Sequence, residues 1–337
     1  MNWYLQNGKD SDVIISSRIR LARNQKNTAF VNSAPKSELL QRLEKLETVA
    51  EQLGYGLKMK RLRDMSELDK MCLVEKHMIS PDFARNGVDI GAILINEAEN
   101  IGIMIHEEDH IRIQTFASGL DLEHALELSK ELETAIGEIF PYAFHEQFGY
   151  LTACPTNVGT GLKASVMVHL PGLTQTGNVS KILEIMRGFG LIIRGVYGER
   201  SDTRGDVYQI SNLQTIGITE KEIVNRLQMM MEKLIEQERL ARRILARNSV
   251  YLEDKVYRAY GILSNCRKLS LEECEKYLSY VKLGTDLGIL KELNDLKIKK
   301  LDLYTKPAHL QKLANHALEE NEREIERAKM VQKIIQE

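Results

Sequence analysis

The chain has 337 residues, 43% of them hydrophobic, which fills a sizeable core and excludes disorder as the default state. Its 46 Lys and Arg against 48 Asp and Glu leave a net charge of −2, so nothing global draws it to nucleic acid or an anionic membrane, and any anion site is local. The N-terminus lacks a signal-peptide pattern, no apolar run reaches the ~18 residues of a membrane span, and Cys72, Cys154, Cys266 and Cys274 show no CxxC spacing; a cytoplasmic protein with free thiols is expected.

In chain order, "PKSELLQRLEKLETVAEQLGYG" predicts an amphipathic helix with Leu39, Leu40, Leu43, Leu46, Val49, Ala50 and Leu53 on one stripe and Gly54 ending it. "SELDKMCLVEKHMIS" predicts a second helix, with Ser66 as N-cap and Asp69 completing a box-like start. Strands are expected at about 90–96, 101–106 and 111–116, and a capped helix from Asp121 to about Phe140. Strand-like "KASVMVHLP", "GLIIRGVYG" and "DVYQISN" follow, interleaved with the helix "NVSKILEIMRGFG".

The pattern is that of an α+β domain with a mostly antiparallel sheet flanked by helices. Thr219 and Glu222 predict a capping box for a helix burying Ile223, Leu227, Met230, Met231, Leu234 and Ile235. From about residue 250 the sequence turns wholly helical, ending in one long charged helix over residues 308–337. The division expected is a catalytic domain over 1–250 and a smaller all-helical C-terminal domain over 251–337.

Four short stretches carry chemistry. "SSRIRLARN", residues 16–24, crowds Arg18, Arg20 and Arg23 on a strand-like segment, where arginines two apart share a face and repel unless an anion, or neighbouring acids, compensate. "HEEDHIRIQ", residues 106–114, sets acids and imidazoles at a strand end, with Arg112 four after Glu108. "CPTNVGTGLKASV", residues 154–166, flanks Thr160 with Gly159 and Gly161, which let a ligand approach the backbone or simply make a turn, and adds Lys163; it lacks the Walker spacing. "RGVYGERSDTRGD", residues 194–206, is a Gly-rich loop bearing Arg194, Glu199, Arg200 and Arg204. Cations with isolated carboxylates and glycine loops suit phosphoryl transfer from a nucleotide.

These four motifs, in this order over about residues 13–250, resemble the phosphagen (guanidino) kinases, and within them the bacterial branch of protein arginine kinases. The resemblance implies ATP with Mg²⁺ carried by the nucleotide rather than by a protein metal site. It implies nucleotide contacts from Ser16, Ser17, Arg18, Ile19 and Arg20; from His77 of "VEKHMIS", against the base; from Arg112; from Lys163, Ala164, Ser165, Val166 and Met167; and from Arg194, Gly195, Val196, Tyr197 and Gly198. Glu108 matches the catalytic carboxylate, Glu199 a second carboxylate that pairs with the substrate guanidinium, and Cys154 the cysteine near it. A guanidinium keeps its proton far above neutral pH, so carboxylates that grip and deprotonate it are what the transfer requires.

Lys163 stands where the family usually has arginine, which loses the bidentate fork, and His106 replaces the usual asparagine. Only about 15 residues precede "SSRIR", where small-guanidine kinases carry a helical lid domain; an open site suits an arginine attached to a protein. "REIERA", residues 323–328, resembles the family's RDxxRA motif and implies phosphoarginine binding by Arg323, Glu324, Arg327 and Ala328, the alternative being a solvated charged helix. Implied partners are proteins with exposed arginine, a transcriptional repressor as one candidate among them, a AAA+ protease that degrades the marked proteins, an activator protein and a second copy in a homodimer. The setting implied is stress response and protein quality control. A kinase of free arginine or another small guanidine is the alternative, and a non-catalytic protein that sequesters a repressor is the alternative of another class.

Overall fold

The computed structural model describes residues 2–195 and 204–337. Strand β1 (Ile14–Arg23) is followed by α1 (Lys36–Gln52), β2 (Lys58–Arg61), α2 (Glu67–Glu75) and α3 (Pro81–Asn86). Strands β3 (Ala92–Ile95), β4 (Ile101–Ile105) and β5 (Ile111–Ser118) lead into α4 (Leu122–Ile139). A two-stranded hairpin, β6 (Phe144–His145) and β7 (Gly149–Tyr150), precedes β8 (Leu162–His169), α5 (Pro171–Gln175), α6 (Val179–Gly188), β9 (Leu191–Gly195) and β10 (Val207–Asn212). Helices complete the chain: α7 (Glu220–Ala246), α8 (Ser249–Asn265), α9 (Leu271–Asp286), α10 (Asp295–Tyr304), α11 (Pro307–Ala314) and α12 (Glu320–Gln336).

The order in the eight-stranded sheet is β2-β3-β4-β5-β1-β8-β10-β9, and β2 to β5 and β1 pair antiparallel. Register decides what each face carries, because side chains alternate. Arg18 lies opposite Phe116, Arg20 opposite Gln114 and Ala22 opposite Arg112, with Met104 next to Arg112 on β4. The other face offers Ile19 and Leu21 with Ile113 and Thr115, and α4 covers it: the Thr115 hydroxyl lies 2.6 Å from that of Ser129 and donates to the Ala125 carbonyl at 2.7 Å.

Outer strands of the arginine-bearing face are covered by α2 and α3. Leu73, Met78, Phe83, Ile93, Ile95, Met104 and Phe116 form one apolar cluster there. Ser66 caps α2 by accepting the Asp69 N–H, as its sequence predicts. The helix is shorter than expected, because His77 adopts the left-handed region at φ 60° and Ser80 caps a new helix, α3, with Pro81 in its first turn.

By compactness the chain forms two units, Ser16–Ser165 with Ser211–Gln228 and the first residues, and Tyr4–Ile15 with Met229–Glu337 and the described parts of 166–210. The predicted capping box of α7 is present: Glu222 N–H donates to the Thr219 hydroxyl at 3.2 Å and the Thr219 N–H to the Glu222 carboxylate at 2.9 Å. Within the second unit, α8 to α10 and α12 enclose their own core, with Val256, Leu263, Val281, Leu301 and Val331 buried. The single long helix expected at the C-terminus is two, since Asn315 turns left-handed at φ 60° and ends α11, and α12 starts afresh at a capping box of Glu319 and Glu322. None of the four cysteines is in a disulfide, and no described helix is long and apolar enough to cross a membrane.

Candidate active site

Three arginines of the first unit stand on one sheet face. Arg18 and Arg20 are two apart on β1, and Arg112 belongs to the adjoining β5. Arg18 Nε donates to the Ser165 hydroxyl of β8 at 3.3 Å, which puts Ser165, and by alternation Lys163, on that face. Burial, and then the neighbouring charge of Arg112, push the Arg18 guanidinium down to about 10. Two guanidiniums close enough to repel are what an anion would relieve, so the face fits a polyphosphate. Lys163 donates to the Asn212 carbonyl at 2.6 Å.

Ser17, Ile19, Ala164 and Val166 alternate onto the opposite face; the Ser17 hydroxyl is spent on the Gly119 carbonyl at 2.8 Å, and Ile19 is fully buried. Only their backbones border the arginine face. Ser16 lies opposite Ser118 in the β1–β5 register. His77 occupies the α2–α3 connection, three residues before Ser80. Met167, Arg194 and Gly195 belong to the second unit, Arg194 being exposed at the end of β9. Val196, Tyr197, Gly198 and Glu199 lie outside the described residues.

Arg23, the third arginine of "SSRIRLARN", is not with the others. It points to the α4 side, where Nε donates to Glu133 at 2.6 Å, Nη2 to Glu220 at 3.2 Å, Nη1 to the Thr160 carbonyl at 2.9 Å, and the guanidinium covers the Tyr150 ring at 3.5 Å. A Cβ at Gly161 would lie 2.5 Å from Arg23, and one at Gly159 would lie 2.2 Å from the Thr215 carbonyl. The close approach these glycines allow is to the chain itself.

The β4–β5 turn holds the carboxylates. His106 takes φ 59° to start it; its Nδ1 donates to the Ile90 carbonyl at 3.0 Å. His110 Nδ1 accepts the Gln25 N–H at 3.0 Å, so Nε2 carries the proton donated to Ala29. Burial pushes these imidazoles down to about 4 and about 3, which keeps both neutral and makes them frame rather than machinery. Glu107 accepts from Arg112 and, at 2.8 Å, from the Ser80 hydroxyl.

Between them Glu108 is half-buried. Burial first, then the negative charge of Asp109, and further that of Glu107, raise its pKa, while Arg112 and a hydrogen bond from the Cys154 thiol oppose the rise. Asp109 is buried and bonds the Asn24 amide at 2.6 Å and the Ala153 N–H at 2.7 Å, fixing the loop from which Cys154 reaches Glu108. Sequence reasoning gave Glu107, Asp109 and Asn24 no task, although the first two lie inside "HEEDH" and the third closes "SSRIRLARN". The signal was that "HEEDH" holds three acids where the resemblance assigns a task to Glu108 alone.

A polyphosphate face next to a half-buried carboxylate with a raised pKa can hold a nucleotide and take a proton from a nearby donor. Residues 39–241 match the model of the ATP:guanido phosphotransferase C-terminal catalytic domain. The chain belongs to that family. Residues 249–337 match a second model, the protein-arginine kinase McsB C-terminal domain. A protein-arginine kinase of Bacillus subtilis (strain 168) is 44% identical over 98% of this chain and 92% of its own length, and one of Bacillus cereus (strain ATCC 10987 / NRS 248) is 42% identical over 98% and 94%. These place the chain in the protein-arginine kinase branch of the ATP:guanido phosphotransferases. Among solved structures, a lombricine kinase superposes with a TM-score of 0.61 at 27% identity over 68% of this chain and 67% of that one. A duplicated taurocyamine kinase from Schistosoma mansoni gives 0.59 at 25% over 75% and 39%. As a phosphagen-kinase fold, the architecture is the α+β one its sequence predicts.

In the second unit "REIERA" is not a solvated helix face. Arg327 is buried, donating to the Thr305 and Leu269 carbonyls at 2.8 Å each, and Ala328 lies in the helical core. Arg323 donates to the Leu318 carbonyl at 2.7 Å, and Glu324 pairs with Lys268 at 3.0 Å.

Proposed function

We propose that the enzyme transfers the γ-phosphate of ATP to arginine side chains of proteins. The observation that carries this is the placement of Arg112 between the charges of Arg18, on the same sheet face, and Glu108, the carboxylate of raised pKa in the β4–β5 turn. Arg18, Arg20, Arg112 and Lys163 hold the phosphates, with Arg194 and residues 195–198 added by their motif, and His77 meets the base. Mg²⁺ would arrive with ATP and would offset the charge of the phosphates that these side chains hold. In this reading it enters on the nucleotide rather than on a protein metal site.

Glu108 accepts the proton of the target guanidinium as the N–P bond forms and the P–O bond to ADP breaks. Glu199, by its motif, orients the other guanidinium nitrogens, and Cys154 assists by its bond to Glu108. Residues 1–250 are proposed as the catalytic part, and 251–337 as a dimerising part that binds phosphoarginine at the Arg323–Ala328 motif, where Arg327, held on the Thr305 and Leu269 carbonyls, braces the helix that presents Arg323. The product marks cytoplasmic proteins, a repressor among them, for a AAA+ protease during stress and protein quality control, under an activator protein.

Incubation with Mg-ATP and an arginine-rich protein, with free arginine in parallel, tests the reading by mass spectrometry at neutral pH, because the P–N bond is acid-labile. Phosphate on protein arginine is expected. Phosphate on free arginine alone overturns it.

A further inference from the structure

The hairpin β6–β7 carries two exposed phenylalanines of the first unit close together, Phe144 at 58% and Phe148 at 50%. Strands of two residues have no stability of their own, so the surface is held by what lies beneath it. Phe144 meets the Tyr150 ring edge-on at 5.2 Å, and Tyr150 lies under the buried Arg23 guanidinium. Tyr150 and Gly159 exchange backbone bonds at 2.7 and 3.3 Å, and Gly149, at φ 77°, has no room for a Cβ, which would sit 2.5 Å from the Gly159 carbonyl. The exposed aromatics are therefore on a rigid platform rather than a loose loop.

That platform is continuous with the candidate active site. Asn24 accepts the Ala143 N–H at the hairpin's base at 2.8 Å, and its amide holds Asp109 in the catalytic turn. From Tyr150 the chain needs four residues to reach Cys154, at most about 14 Å. A substrate arginine placed at Glu108 and Cys154 thus carries its neighbouring residues within reach of Phe144 and Phe148. The tip between them adds Glu146, exposed, and His145, whose ring lies 4.8 Å from that of Phe148. Rigid exposed aromatics lose little entropy on contact and serve as binding anchors.

We propose that Phe144 and Phe148 dock the apolar residues flanking the target arginine, making the hairpin the element that favours polypeptide over free guanidine substrates. This rests on the reading of the enzyme as a protein kinase of arginine. The test is Phe144→Ser with Phe148→Ser, alongside Phe144→Tyr with Phe148→Tyr, assayed on an unfolded arginine-containing protein and on a small guanidine such as arginine amide.

For the serine pair, KM for the protein is expected to rise about tenfold, the equivalent of 1.4 kcal/mol. Its kcat, its nucleotide affinity and its rate on arginine amide should stay as in the wild type, and the tyrosine pair should keep the wild-type KM. An unchanged KM in a serine pair whose parent phosphorylates protein overturns the docking role alone. A change in mass in solution with KM unchanged would overturn it in favour of a contact between copies of the chain. Equal losses on both substrates, or weakened ATP binding, overturn it in favour of a structural role. A wild type that leaves every protein arginine untouched removes the docking role together with the function it rests on.

Discussion

Asp109 accepts the backbone N–H of Ala153 at 2.7 Å, one residue before Cys154, so a carboxylate of the β4–β5 turn sets the position of a thiol on a distant loop. Asp109→Ala leaves the Ala153 N–H without its acceptor, at about 1–3 kcal/mol, and the Asn24 amide with the Leu151 carbonyl but not the carboxylate. Turnover should fall while nucleotide affinity stays unchanged, as kinetics and nucleotide titration would show. Wild-type turnover would mean that the loop holds its place without Asp109.

Glu108→Ala should remove most turnover, by about 10² to 10⁴, with ATP binding intact, because the carboxylate acts only as the proton moves. In the wild type the rate should fall as pH drops through the raised pKa of Glu108, so the acid limb lies above the ordinary 4.5. A variant retaining half its activity, or an acid limb below 4.5, would contradict the assignment.

For Arg18→Ala the expected signature is the reverse. Loss of charge-assisted bonds worth about 1.5–3 kcal/mol weakens nucleotide affinity by about 10- to 100-fold. Thermal stability should not fall by more than a degree or two, since the Arg112 repulsion goes with it. Calorimetric titration of unchanged affinity would take Arg18 out of the phosphate site.

His106 takes a proton near pH 4 when folded, against about 6.5 unfolded, because burial outweighs its bond to Ile90. Its contribution to stability is complete above about pH 6.5 and is lost as pH falls toward 4, by roughly 2 kcal/mol at pH 5. His106→Asn keeps an N–H donor for Ile90 and tolerates φ 59°, so its stability should fall less between pH 7 and 5. Parallel urea midpoints for the two proteins over that range would refute this.

Periodicity located the strands and most helices because one face of each meets the core. It joined α11 to α12 and extended α2 because left-handed breaks at Asn315 and His77 cost those residue types little and leave no mark in hydropathy. Arg18 and Arg20 were readable as neighbours from their spacing, and Arg23 as facing away only through strand parity. That Arg112 joins them depends on the β1–β5 register, and that Asp109 supports the Cys154 loop depends on contacts across 44 residues of chain, neither of which a linear pattern records.

An enzyme that phosphorylates arginine carries its own substrate side chain throughout its sequence. Arg23 is fully buried, with nitrogens committed to Glu133, Glu220 and two backbone carbonyls, whereas Arg258 is 76% exposed on its side chain and held by Asp254 alone. The Arg23 guanidinium can meet a phosphoryl group only after β1 has parted from α4. Phosphate found on Arg23 would therefore report that a molecule had come apart, and phosphate on Arg258 would report only that an exposed guanidinium had met an active site.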